Sequence, residues 1–172
     1  HEDRYAALVF NTLLGGSMSS RLFQNVREKR GLAYSVGSGL SAFRDAGLLS
    51  VYAGCSNTRV DEVVRVIMDE LRGVVNGGID ASELVRAKDN VKGSLILGLE
   101  STWQRAAYLA RQEIYFDEPF TIEDTLAGID AVTIGDVSRV ASDLLTRTPV
   151  SVAVVGDVEG VAVSGRELQV AS

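Results

Sequence analysis

The chain has 172 residues, with 17 Lys and Arg against 23 Asp and Glu, a formal charge of −6, and 46% hydrophobic and 23% charged residues. This length sets one globular domain, residues 1–172, as the expectation. The acidic balance argues against nucleic acid as a partner, and no apolar run approaches the ~20 residues of a membrane span. A single Cys55 excludes an internal disulfide and suits a reducing, cytoplasmic setting.

The chain opens on His-Glu-Asp-Arg-Tyr, not Met, which reads as part of something longer. Asp3 to Leu14 places Tyr5, Leu8, Val9, Thr12 and Leu13 at helical spacing and predicts an amphipathic helix ended by Gly15-Gly16. A Gly/Ser linker, Gly15 to Ser20, follows, either a plain helix connection or a segment that shapes substrate entry. Leu22, Phe23 and Val26 then lie close enough on a second helix to share an apolar face. Arg27, Glu28, Lys29 and Arg30 crowd its last turn, where cations offset the negative end of the helix dipole, and Gly31 supplies a left-handed stop.

Strand-like alternation takes over at about Leu32 to Phe43 and again at Gly47 to Cys55, joined by Arg44-Asp45-Ala46 as an antiparallel hairpin. Thr58, with Asp61 three residues on, opens a helix whose stripe is Val60, Val63, Val64, Ile67, Leu71 and Val74 and whose stop is Asn76-Gly77-Gly78. Asp80 with Glu83, Ser101 with Gln104, Thr121 with Asp124 and Thr133 with Asp136 mark four further helix starts. Pro149 halts the last helix, and Val150 to Gly156 reads as a final buried strand. Segregated strands and helices indicate an α+β fold, a mostly antiparallel sheet with helices packed on one face. Three strands are few for so many helices, so a first strand is expected upstream of His1.

The sole histidine is His1, and Cys55 has no second thiol. A catalytic zinc site needs about three protein ligands, usually including His, and a serine triad needs an interior His, so neither is expected here. Gly15-Gly16-Ser17 lacks the lysine of a phosphate loop. Trp103, Tyr108 and Tyr115 read as core or interface aromatics. Arg27 and Tyr34 flank the Gly31 corner. They are either a helix-end cation and a half-buried strand aromatic, or a pair aimed into one groove, a forked donor beside a phenol, able to hold a carbonyl and stabilise charge on its oxygen.

The stretch LLGGSMSSRLFQNVREKRGLAYSV closely resembles the C-terminal domain of the pitrilysin/insulinase-type zinc metallopeptidases, which include the mitochondrial processing peptidase. The likeness continues through the hairpin ending in Tyr52-Ala53-Gly54 and the long helices to the closing VAVVGD segment. The resemblance implies a LuxS/processing-peptidase-like α+β domain, the second of a tandem whose first domain carries Zn2+ on an inverted H-x-x-E-H motif plus a downstream Glu. It also implies a clamshell closing on a peptide substrate, with an opposing half drawn from the same chain, a homodimer or a heterodimer. On this likeness Arg27 would bind substrate main chain and Tyr34 would hydrogen-bond the scissile carbonyl in trans. No H-x-x-E-H half is present, so this chain alone would hold no cofactor and be inert. The alternative is a non-catalytic relative acting as scaffold or peptide-binding subunit. An intact or degenerate H-x-x-E-H upstream would separate the two.

Overall fold

Val9 and Phe10 are wholly enclosed, and the helix that carries them is α1 (Arg4–Asn11). The computed structural model describes residues 1–43, 45–116, 120–147, 149–157 and 159–170. α1 continues into a wider π turn, Thr12–Gly16, which buries Thr12, Leu13 and Leu14. Gly15 closes that turn against the hairpin, where a Cβ would lie 2.4 Å from the Ser38 nitrogen. Only glycine permits this approach. A second π segment, Phe23–Glu28, leads to β1 (Ala33–Ala42), which pairs antiparallel with β2 (Gly47–Cys55) in a two-stranded sheet. Arg44 of the predicted connection lies outside the described residues.

The helices follow as the caps predict. α2 spans Val60–Val75, α3 Ala81–Gly98, α4 Thr102–Tyr115, α5 Ile122–Ala131 and α6 Ile134–Thr146. Asp80 with Glu83, Thr121 with Asp124 and Thr133 with Asp136 form reciprocal capping boxes. Thr58 does not cap α2. A short 3-10 turn, Asn57–Arg59, intervenes, and the Thr58 hydroxyl meets that of Ser56 at 3.3 Å. α1 packs on α3, α5, α6 and β1, and α6 packs on α2, so the core lies among these helices and one face of β1. The fold is α+β, an antiparallel hairpin with helices gathered on one side.

One expectation changes. Val150 to Gly156 forms no strand, and Val152, Val154 and Val155 are exposed, Val155 almost completely. A strand needs a ladder partner, and among the described residues β2 pairs only with β1. Trp103 and Tyr115 stand in solvent and contribute nothing to the core, while the half-buried Tyr108 meets the Thr125 hydroxyl at 3.2 Å.

The contact at Gly15 fixes the sign of a substitution. Gly15→Ala should destabilise by about 1–3 kcal/mol through overpacking against β1. At Gly93, inside α3 with nothing within 4 Å of a built Cβ, the same change should stabilise by about 0.5–1 kcal/mol. Urea unfolding of the two variants should therefore move in opposite directions, and a gain at Gly15 would refute the packing.

Candidate active-site surface

Leu22 and Val26 are fully buried and pin one side of the Phe23–Glu28 segment to the core. Phe23 and Arg27, four residues apart, are left on its outer side. Ser20, itself buried, caps the segment: its hydroxyl accepts from the Phe23 N–H at 3.4 Å and its carbonyl from Gln24 at 2.9 Å. The Gly15 to Ser20 linker is thus tied at both ends. At the far end Gly31, at φ 57, donates to the Arg27 carbonyl at 2.9 Å, and Leu32 donates to that of Val26 at 2.9 Å. With no atom near a built Cβ, the left-handed turn alone accounts for glycine at 31.

Directly after this corner the ladder is irregular. Ala33 pairs with Cys55 but Ser35 pairs with Gly54, so two steps on β1 match one on β2 and Tyr34 is the extra residue of a β-bulge. In a regular strand Ala33 and Ser35 would share a face. Here Ala33 and Val36 are both buried, and Tyr34 and Ser35 both point outward. Tyr34 is 86% exposed.

The bulge brings Tyr34 to Arg27. The Arg27 guanidinium carbon lies 4.8 Å from the Phe23 ring centre and 5.7 Å from that of Tyr34, both within cation–π reach. Among the described residues its ion-pair partner is Glu28 at 3.7 Å, an exposed pair of little worth. Among the described residues neither the Arg27 guanidinium nor the Tyr34 hydroxyl makes a hydrogen bond, so their donors face outward. The two residues singled out from the sequence therefore meet. Phe23, assigned there to an apolar face, is the member that was missed. Its signal was the four-residue spacing to Arg27 on a helix.

Other members of the basic cluster have structural partners. Arg21 reaches Glu83 at 2.9 Å through Nε and 2.5 Å through Nη2, and Nη2 also donates to the Gly78 carbonyl. Arg30 donates to the Asn25 carbonyl at 3.0 Å and Lys29 to the Asn25 side chain at 3.0 Å. Asn25 in turn donates to Glu70 at 2.6 Å. Burial pushes the Glu70 carboxyl above its ordinary 4.5, outweighing the Arg21 charge and the Asn25 hydrogen bond. Burial also acts to raise Glu83. There the Arg21 hydrogen bond, the Asp80 backbone N–H and the neighbouring guanidinium charges prevail and lower it.

A family model described as the peptidase M16 inactive domain matches residues 1–91, which include Arg27, Gly31 and Tyr34. The chain belongs to the peptidase M16 inactive-domain family. An uncharacterized zinc protease of Streptomyces coelicolor is 48% identical over 155 residues, 90% of this chain and 34% of the relative. A conserved protein of Enterococcus faecalis superposes with a TM-score of 0.76 at 33% identity, covering 83% of this chain and 33% of that one. An M16 inactive domain from Pseudomonas fluorescens gives 0.73 at 25% identity, over 82% and 34%. The chain thus spans about a third of the length of these relatives. Among the described residues no group of three or more His, Cys, Asp and Glu side chains is placed to hold a metal, and no helix is long and apolar enough to cross a membrane.

The two glutamates carry opposite pH signatures. The folded chain holds the Glu70 proton more tightly than the unfolded chain, so this group lowers stability as pH rises from about 4.5 through its raised folded value. Glu83 is the reverse: its contribution is present above about 4.5 and lost as pH falls through its depressed value. Glu70→Gln should make the stability–pH curve rise more steeply just above pH 4.5, and Glu83→Gln should flatten it below that point. Equal curves for both variants in denaturant titrations would contradict this assignment.

Proposed function

We propose that this chain is the zinc-less, substrate-clamping domain of a longer zinc metalloendopeptidase, and that Arg27 and Tyr34 act on peptide held against a zinc-bearing domain. In this reading residues 1–172 follow that domain in one polypeptide. The opposing half comes from the same chain, a homodimer or a heterodimer in a reducing compartment such as the cytoplasm. Zinc belongs outside this chain: His1 and Cys55 are its only His and Cys, and the described acids do not cluster into a ligand set.

The observation that carries the reading is the pair itself, Tyr34 turned outward by a bulge beside Arg27, with hydroxyl and guanidinium donors both unspent. A peptide bond in cleavage passes from a neutral carbonyl to a tetrahedral oxyanion. The Tyr34 hydroxyl is a single donor on a rigid ring, suited to an oxygen whose charge grows during reaction. The Arg27 fork suits main-chain carbonyls, which accept equally in bound substrate and transition state. Phe23 gives Arg27 a ring to rest on, which narrows the orientations of a long side chain otherwise free in water. A scaffold that bound no reacting peptide would gain nothing from these exposed donors, which favours the peptidase reading.

Kinetics of the full-length protein separate the two roles. Tyr34→Phe keeps the ring over Arg27 and removes one donor, so kcat should fall on the order of 10²–10³ with KM nearly constant. Arg27→Ala should raise KM as well, because its contacts exist in the ground state. Wild-type turnover in Tyr34→Phe, with fold and zinc content unchanged, would return both residues to structural roles.

A further inference from the structure

The Phe23–Glu28 segment that carries Arg27 is a π turn, with the Lys29 N–H donating to the Gln24 carbonyl, five residues back, at 2.9 Å. Such a turn holds one residue more than an α-turn. Without it every later side chain would move about 100° round the axis, and Arg27 would leave Tyr34. The extra residue therefore aims the guanidinium, and a turn this rare needs support from outside itself. Leu22 and Val26 supply it on the apolar side. On the polar side, among the described residues, Asn25 is the one member of the segment whose side chain hydrogen-bonds to another helix.

Half-buried Asn25 is committed at three points. Its Nδ2 donates to Glu70 at 2.6 Å, its Oδ1 accepts from Lys29 at 3.0 Å, and its carbonyl accepts from Arg30 at 3.0 Å. Glu70, also half-buried, stands on α2 between the buried Met68 and Leu71, so the acceptor has a fixed base. The charged groups that face it are Arg21, Arg30 and Glu83. We infer that Glu70, acting through Asn25, is a positioning residue for Arg27: it holds the π register and with it the guanidinium beside Tyr34. This rests on the peptide-binding role proposed for Arg27 and extends that role to a pair that touches no substrate. An ionised acceptor makes the stronger bond, so Glu70 grips Asn25 hardest once its proton has left. Burial delays that loss to above the ordinary 4.5. The same ionisation lowers the stability of the fold, because desolvation of the charge outweighs the bond. The hold on Arg27 and global stability therefore move in opposite directions as pH rises.

Kinetics of the full-length protein on an uncharged peptide, followed upward from about pH 4.5, test it together with NMR of the Arg27 side-chain N–H in selectively labelled protein. KM of the wild type should fall as Glu70 ionises, with kcat nearly unaffected by that group. Glu70→Gln should keep KM at the acid-side value at every pH, on the order of tenfold above the wild-type limit. Asn25→Asp sets two carboxylates against each other and should raise KM at least as far. Adding Glu70→Gln to it restores a donor–acceptor pair with its direction reversed, and should return KM to within about threefold of wild type. The Arg27 resonance, shifted by the Phe23 and Tyr34 rings, should move in both single variants and return in the double one. A resonance that stays in place in both, or a double variant that recovers neither readout, would overturn the inference, as would a wild-type KM that climbs with pH in step with falling stability. A resonance that moves and returns while KM stays constant would uphold the positioning and count instead against the peptide-binding role of Arg27.

Discussion

One extra residue in a short ladder decides which way Tyr34 points. The hairpin alternates inward and outward like any half-buried sheet, and in perfect register the positions after Gly31 would alternate without a break. The bulge shifts the phase by one, so Ala33 and Val36 both reach the core and Tyr34 stands free between them. The cost is a missing rung in a sheet of two strands. What it gains is a phenol held at its base by buried Leu32 and Ala33 and open to solvent at its tip. The Arg27 position follows from the same corner, since Gly31 reverses the chain and lays the end of the Phe23–Glu28 segment beside the start of β1.

That corner is held from behind. Leu22 and Val26 insert into the core, and Arg21 ties the segment to the start of α3 through Glu83 and the Gly78 carbonyl. Asn25 and Glu70 add a second tie to α2. Gly15 lets the first π turn press against β1 without a side chain between them. These contacts leave the outer face of the segment, Phe23 and Arg27, free to carry chemistry while the inner face fixes its place. A run of basic residues that looks uniform in sequence therefore divides by function. Arg21 and Arg30 serve the fold, and Arg27 faces outward beside two rings.

Local signals made much of this legible. The capping boxes of α3, α5 and α6 fall where Asp80, Thr121 and Thr133 placed them, because a side-chain acceptor and an acid three residues on form a local device. Gly31 likewise marked its own left-handed turn. The bulge was invisible, since register is a property of two strands and neither alone encodes it. Phe23 was visible only as an apolar residue, because its relation to Arg27 needs the true path of the helix. Val150 to Gly156 misled for a related reason. Its valines have the composition of a strand, but a strand exists only beside a partner, and β2 turns its paired edge to β1. The stripe on α2 is only partly enclosed, with Val63, Leu71 and Val74 in the core and Val60, Val64 and Ile67 half-buried.

If Tyr34 acts on the oxyanion as proposed, it recognises a transition state and not a substrate. The most direct measurement compares, in full-length protein and its Tyr34→Phe variant, the affinity for a phosphinic peptide that mimics the tetrahedral oxyanion and for a matched uncleavable peptide with a flat amide. The phosphinic peptide should lose on the order of 10²–10³ in affinity while the flat peptide changes by less than about tenfold. Equal losses for the two ligands, or none for either, would contradict it.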